Sequence, residues 1–555
     1  MRSRASSAST IVFPGIDAAT GCSLDGSVST EEFAQRLREL RWGDEERLEK
    51  DFIARWRDGQ EMGPDRRPAA DVDPASLASS GWGVVFPAKP KLGRRELQQQ
   101  LAPLLDLRRK QVTEGQKVPG TTGPQSLLDS ASFPGPGIAS FFRLLTYCPG
   151  PLNRGFLSAH NIPSGPARPE VLPYYLLLVG DAEEIPLSFQ YLLDVQYAVG
   201  RLAFDELEDY GRYARAVVAA ETQKRHNSSA KMSFVSVRNQ GDAATRLMDE
   251  KLVGVVCELM RRERSEWAIQ KEGGSKEALS QLLCSGQVPA LLFTTSHGAA
   301  YSSGAAGQRE HQGDILCSEW APGQPADAVN RFGAEDLRGA DLRGLVAFLF
   351  GCYTAGTPQH DNFPAGKSGP QRIAPRPFFS KLGQTFLRQG ALAVLGHFDR
   401  AWTLSFDSLE SRETRHIESM VKYLLDGYPV GHAMDWMNER HADLASQLSG
   451  VTDPQGEDSK GLAVDDLALA RLWRAYADAR NFVVLGDPAV RLAVGPRRSL
   501  LSAPSPSTMA SVSPQFALGD LRVLLGEVAG DEPVRSAESP VEILRRLRSG
   551  RRRPW

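Results

Sequence analysis

Several signatures are missing from this 555-residue chain, and each absence removes a class of protein. There is no run of about 18 apolar residues, so no transmembrane helix and no membrane insertion is expected. The opening stretch, Met1 to Thr10, has two arginines but no apolar core, so a secretory leader is not expected and the chain is assigned to the cytoplasm. Neither sign of charge dominates: 65 Lys+Arg against 67 Asp+Glu leaves a net charge of −2, with no bulk pull toward nucleic acid. Six cysteines (Cys22, Cys148, Cys257, Cys284, Cys317, Cys352) are scattered without paired spacing and without a Cys-x-x-Cys. That pattern argues for free thiols in a reducing compartment, against a disulfide framework and against a structural zinc site. No Gly-x-Ser-x-Gly elbow and no His-Glu-x-x-His occurs, which disfavours a serine hydrolase and a zinc peptidase. Ala365-Gly366-Lys367-Ser368 ends like a phosphate-binding loop, but the first glycine of that motif would fall at Asp361. His432, Glu439 and His441 share one predicted helix, where a solvated polar face is the simpler reading. No metal and no cofactor is expected.

What is present is ordinary in bulk and specific in one place. Apolar residues make up 41% and charged residues 24%, as in a soluble globular protein long enough for more than one core. The specific place is residues 290–357. Two short apolar runs there each close on a reactive side chain: Ala-Leu-Leu-Phe-Thr-Thr-Ser ends at His297 and Gly298, and Leu-Val-Ala-Phe-Leu-Phe ends at Gly351, Cys352 and Tyr353. Each run has the length of a buried parallel strand. Residues just past the carboxyl ends of neighbouring parallel strands share a crevice, which would place an imidazole beside a thiol. Such a pair can supply a nucleophile with its general acid and base. Taken singly, Cys352 would be a buried small hydrophobe and His297 a strand-end histidine.

The rest of the chain alternates strand and helix, the pattern of an α/β protein. Residues 1–80 read as an N-terminal extension. Its Asp25–Phe33 stretch resembles the second half of an EF-hand loop, but it lacks a first-position carboxylate at Gly21, so a turn and a helix capped by Ser29 and Glu32 is the simpler reading. Pro64–Ala78 reads as a linker. Residues 81–228 form a first α/β subdomain: a strand at Gly83–Pro87, a helix at Arg95–Lys110, a short helix at 138–147, strands at Tyr174–Val179 and Val195–Arg201, and a helix at Tyr210–Arg225. Residues 229–496 form the catalytic domain. Its strands are at Met232–Val237, Trp267–Ile269, the His297 and Cys352 runs, Ala391–Leu395 and a closing strand at Phe482–Leu485, where Asp487 before Pro488 forms a turn. Its helices fall near 247–260, 276–283, 334–337, 378–387, 412–425, 431–448 and 464–479. Residues 497–555 are expected to be a flexible Pro/Ser-rich, Arg-rich tail, largely disordered, with short helices at Phe516–Val528 and Pro540–Leu547. Six arginines lie between Arg545 and Arg553, read as a solvated basic face.

The strand–His–Gly, strand–Gly–Cys order resembles that of caspase-like cysteine peptidases, in which the histidine lies about 50 residues before the cysteine. The resemblance is to the gingipain and CHAT-domain branch. It spans about residues 170–495 and includes Gln312–Cys317 as a flap, Gly396–Trp402 after the next strand, Leu485–Leu492 at the closing strand and Tyr174–Asp181 upstream. The resemblance implies a caspase-like, mostly parallel sheet flanked by helices and preceded by a second α/β subdomain. It implies peptide-bond hydrolysis of a protein or peptide substrate, with Cys352 as a low-pKa thiolate and His297 as acid and base. It places the oxyanion hole at the backbone N–H groups of Gly298 and Cys352. Members of this group act with regulatory or defence-system partners in bacterial defence and cell death. Where caspases carry Gln and metacaspases Asp two residues before the cysteine, this chain has Phe350. Pocket candidates are Arg238, Asn239 and Asp242 after one strand and His397, Asp399 and Arg400 after another. A crevice-facing Asp242 or Asp399 favours a basic P1 side chain, and an arginine there an acidic one. A silent CHAT-like scaffold that binds a protein partner, and an acyltransferase or amidase using the same dyad, are the competing readings.

Overall fold

The computed structural model describes residues 10–24, 27–39, 68–114, 141–149, 156, 160, 166–222, 229–361, 371–402, 406, 414–452 and 465–494. The two tail helices, the arginine-rich terminus and the Ala365–Ser368 motif lie outside the described residues.

Ten strands form one sheet: β1 (Trp82–Pro87), β2 (Phe142–Tyr147), β3 (Tyr175–Val179), β4 (Ala198–Leu202), β5 (Ser229–Ser236), β6 (Ala268–Gly273), β7 (Pro289–Thr295), β8 (Val346–Phe350), β9 (Ala393–His397) and β10 (Phe482–Gly486). Their order across the sheet is β2-β1-β3-β4-β10-β9-β8-β7-β5-β6. The expected α/β class, with a mostly parallel sheet flanked by helices, is therefore what this chain forms. The central strands are buried along their whole length, as expected for apolar runs with both faces covered.

The sheet has a seam. β2, β1, β3, β4 and β10 run parallel to one another, as do β9, β8, β7, β5 and β6, and β9 meets β10 antiparallel. The strand expected to close the sheet, β10, instead lies in its middle, because both of its edges find partners: Ala393–His397 on one side and Arg201 on the other. A buried charge network ties the end of β10 to the first parallel half. Asp487, 0% exposed, accepts from Trp82 Nε1 at 2.9 Å and from Arg108 Nε at 2.7 Å, and Arg108 also holds Glu221 at 2.7 Å. Asp487 Oδ1 also accepts from Ala489 N at 3.0 Å, so the turn expected there is present.

Two other expectations are corrected. Residues 142–147, expected as part of a helix, form β2, paired in parallel with β1; Leu145 and Tyr147 point alternately into the core, a period-2 pattern. Residues 68–78, expected as linker, are packed against the rest: the Tyr175 hydroxyl donates to Pro74 O at 2.7 Å, and Arg491 donates to Ala75 O.

The register that sets the His297 and Cys352 ends of the strands level is fixed by aromatics. Phe234, Phe293 and Phe348 sit at one level of β5, β7 and β8, with ring centroids 5.3 and 4.6 Å apart. A one-residue slip of any of these strands would carry its phenylalanine to the opposite face and break the stack, so the register is strongly specified. Helices α1 (Thr30–Glu39), α2 (Arg94–Glu114), α3 (Leu207–Thr222), α4 (Lys276–Cys284), α5 (Lys381–Arg388) and α6 (Asp466–Arg480) are among those that cover the core. Side-chain caps start three of them: Ser275, Ser380 and Asp465 accept from the amides of Ala278, Gly383 and Ala468.

Candidate active site

The strand order sets the order of the candidate residues. The register pairs Ser236 with Thr295 and Thr295 with Phe350, so β5, β7 and β8 end level. Two residues past Thr295 stands His297, and two past Phe350 stands Cys352. The ladder continues briefly, with Ser296 N donating to Phe350 O at 3.1 Å. The two turns then touch: a Cβ built on Gly298 would lie 1.8 Å from Cys352 O and 3.1 Å from Cys352 N. Only glycine fits there, because the backbone after the histidine lies directly on that of the cysteine.

His297 is held from the β5 side. Its Nε2 lies 2.8 Å from Asp242 Oδ2, and Trp320 meets the ring edge-on at 5.7 Å between centroids. Asp242 caps the short helix Ala243–Leu247, accepting from Thr245 N at 2.9 Å. Burial by itself would raise the Asp242 carboxyl, but the His297 bond and the Thr245 hydroxyl and amide outweigh it and hold the group well below the usual carboxylate range. An ionised Asp242 selects the tautomer with its proton on Nε2, which leaves Nδ1 as the base.

Cys352 is 3% exposed, and its Sγ accepts from Ala401 N at 3.3 Å. Burial pushes the thiol up to about 11, although the Ala401 amide and the nearby Arg400 charge pull it down. The expectation of a lowered pKa is therefore corrected for this form: the sulfur has lost water without gaining a cation strong enough to compensate. The next residue, Tyr353, has φ 61°, the only positive φ at a non-glycine among the described residues. Its amide donates to Asp399 O at 2.8 Å. Holding a tyrosine in this left-handed conformation costs about 1–3 kcal/mol, met here by packing around the Cys352 turn. Gly313 of the flap, φ 85°, packs there too: a Cβ on it would lie 2.2 Å from Tyr353 O.

The flap joins the histidine segment by backbone bonds. Ala299 N donates to Asp314 O at 2.9 Å, and Leu316 N donates to His297 O at 3.0 Å. The N–H groups of Gly298 and Cys352, by contrast, have no hydrogen-bond partner among the described residues, as donors reserved for an oxyanion would require. His311, Asp314 and Glu335 bring ligand-type atoms within 4.8 Å of one another behind the flap. The Arg331 guanidinium already sits on both carboxylates there and supplies the positive charge.

The pocket candidates separate. Arg238 points outward, its side chain 56% exposed and 3.5 Å from Asp249. Asn239 is structural, its Nδ2 donating to Cys317 O and Trp320 O. Asp242 is corrected from pocket wall to histidine partner, because its Oδ2 is engaged by His297. His397 is fully buried against Phe482, with Nε2 3.2 Å from Asp478. Arg400 binds Asp361 at 2.5 Å and Pro14 O at 2.9 Å. Asp399 lies beside the Cys352 turn, its carbonyl accepting from Tyr353 N, and burial, with Asp361 nearby, pushes its carboxyl up to about 7. Two features had no local signal in the sequence: the role of Asp242, and the pairing of Ile16–Asp17 with Ala299–Ala300.

No family model matches the chain, and no curated protein matches it either. Solved structures do align. One, described simply as a protease, aligns at 11% identity over 75% of this chain and 79% of its own, with a TM-score of 0.42. The complex of the pro- and mature domains of Porphyromonas gingivalis RgpB aligns at 12% identity over 74% and 80%, TM-score 0.39. The Saccharomyces cerevisiae separase–securin complex aligns at 11% identity over 61% of this chain and 16% of that one, TM-score 0.28.

Proposed function

We propose that the chain is a caspase-like cysteine endopeptidase in which Cys352 and His297 perform the chemistry and Asp242 orients the histidine. The observation that carries this reading is the contact of the two turns: Gly298 on the Cys352 backbone, with Asp242 on His297 Nε2. The Cys352 thiol gives its proton to His297 Nδ1 as sulfur attacks the scissile carbonyl carbon. The resulting oxyanion takes the N–H groups of Gly298 and Cys352. His297 returns the proton to the leaving amine as the C–N bond breaks, leaving a thioester. It then takes a proton from water, hydroxide attacks the thioester, and the acid product leaves with the thiol restored. We read Asp399, beside the Cys352 turn, as the P1 contact: a Lys or Arg side chain brought against it would draw the proton from its carboxyl and favour a basic P1 over an acidic one.

The test is a positional-scanning fluorogenic peptide library with wild type and Cys352→Ala. Cleavage by wild type alone, strongest with Lys or Arg at P1, is expected. Equal cleavage by Cys352→Ala would end the reading, and an acidic P1 preference would remove Asp399 from it.

A further inference from the structure

We propose that residues 13–17 of the chain itself occupy the strip on which a peptide substrate would lie, so that the described form is self-covered. This rests on the peptidase reading only for the identity of what is displaced.

The segment is anchored on both sides of Cys352. On the β9 side, Pro14 O accepts from Arg400 Nη1 at 2.9 Å, and the Phe13 ring packs 6.3 Å from Trp402 and 5.9 Å from Phe33. On the β7 side, Ile16 and Asp17 pair in parallel with Ala299 and Ala300, and Ala18 N donates to Ala300 O at 2.7 Å. Arg400 precedes Ala401, whose amide lies on Cys352 Sγ, and Ala299 follows Gly298, which lies on Cys352 O. Between the two anchors there is a single residue, Gly15, buried and at φ +118°.

The crossing is short. β8 lies between β9 and β7, with neighbouring strands about 4.8 Å apart. β9 and β7 are then about 9.6 Å apart, more than the roughly 7 Å that two peptide units span, and the Arg400 side chain makes up the difference by reaching out to Pro14 O. Extended peptides bind proteins by adding a strand to an exposed edge, and Ile16–Asp17 uses that mode on the segment after His297. Glycine at the crossing presents no side chain to a pocket, and the segment fills the strip without offering a P1 group.

The arm is secured beyond the crossing. Ala18 is buried with Ala299, Leu316 and Trp320, and Ala326 N donates to Ala18 O at 2.7 Å. Gly21 lies so close to Gln324 that a Cβ would stand 2.0 Å from its carbonyl oxygen.

The test compares two protections in the full-length protein. The first is protection of Cys352 from iodoacetamide, read by mass spectrometry with exposed Cys148 and Cys284 as internal references. The second is hydrogen-exchange protection of the Ala18 amide. Both are measured in wild type, Phe13→Ala, Gly21→Val and the double variant. If the arm covers the thiol, one opening event controls both, and the two protections agree within about tenfold across the series. Loosened arms then give at least a tenfold faster Cys352 reaction while Cys148 and Cys284 stay constant, because losing a buried phenyl ring shifts such an opening strongly. Wild-type Cys352 reacting as fast as Cys148, or staying protected while Ala18 exchanges freely, would overturn the proposal. Peptide cleavage is followed in parallel. Matched protections without cleavage in any variant would keep the cover and remove the peptidase reading.

Discussion

Gly298→Ala is the most informative single change at the site. Its new methyl group would stand 1.8 Å from the Cys352 carbonyl oxygen and 2.8 Å from its carbonyl carbon, where ordinary contact begins near 3.4 Å. The two turns must part by roughly 1.5 Å, and a displacement of about 1 Å at reacting groups can cost about 10²-fold. Overpacking of this kind costs about 1–3 kcal/mol of stability. The expected result is a fall in kcat/KM on the best library peptide of about two orders of magnitude, with a lower urea midpoint. It is measured in the wild-type and Phe13→Ala backgrounds, so that the arm and the turn are read separately. Gly450→Ala, on an exposed helical position with nothing within 4 Å, is the control and is expected to gain about 0.4–1 kcal/mol. A Gly298→Ala protein that cleaves within about threefold of its parent and keeps its midpoint would refute the packing of histidine turn on cysteine turn, and the dyad argument with it.

Three further outcomes are expected. Asp242→Asn should lower kcat by roughly 10²-fold or more with little change in KM, since it removes the charge that fixes the His297 tautomer. Because Asp242 is held below its unfolded value, its support for His297 is complete above the usual carboxylate range and is lost as pH falls through the folded value; a pH–kcat profile checks this. Asp399, pushed up to about 7, keeps its proton in the fold while an unfolded carboxyl has lost it. Stability should therefore decline by up to about 1.4 kcal/mol per pH unit between roughly pH 4 and 7, a slope that urea titrations of Asp399→Asn should lack. Arg108→Leu strands the buried Asp487 charge and should cost about 3–5 kcal/mol by chemical denaturation; an unchanged midpoint would mean the network is idle.

The elements legible in the sequence were those whose signal is local. The runs ending at His297 and Cys352 announce buried strands because every residue in them is apolar or β-prone, and Ser29 caps α1 as its spacing to Glu32 implied, accepting from the Glu32 amide at 3.1 Å. The α/β class followed from alternation. What was not legible depends on distant pairing. Residues 142–147 are a strand because β1 offers an edge, and β10 is central because β4 and β9 flank it. Asp242 reads equally well as pocket wall, helix cap or histidine partner until the β5 and β7 exits are set side by side. The raised Cys352 thiol could not be read from its neighbours in sequence, since it comes from three-dimensional burial.

The seam has a consequence in time. The strand that joins the two parallel halves is the last of the ten to be made, and roughly 280 residues separate β4 from its partner β10. At about 5–20 residues per second, β4 waits on the order of 15–55 s with one edge unpaired. β9, whose other neighbour, β8, is made before it, waits about 4–17 s for the 85 residues up to β10. An edge left open for that long is a template for pairing with another chain. The nascent protein is thus most exposed to aggregation after His297 and Cys352 have been made and before its middle strand arrives. Slowing synthesis between residues 400 and 480 should lower soluble yield more than slowing it after residue 490.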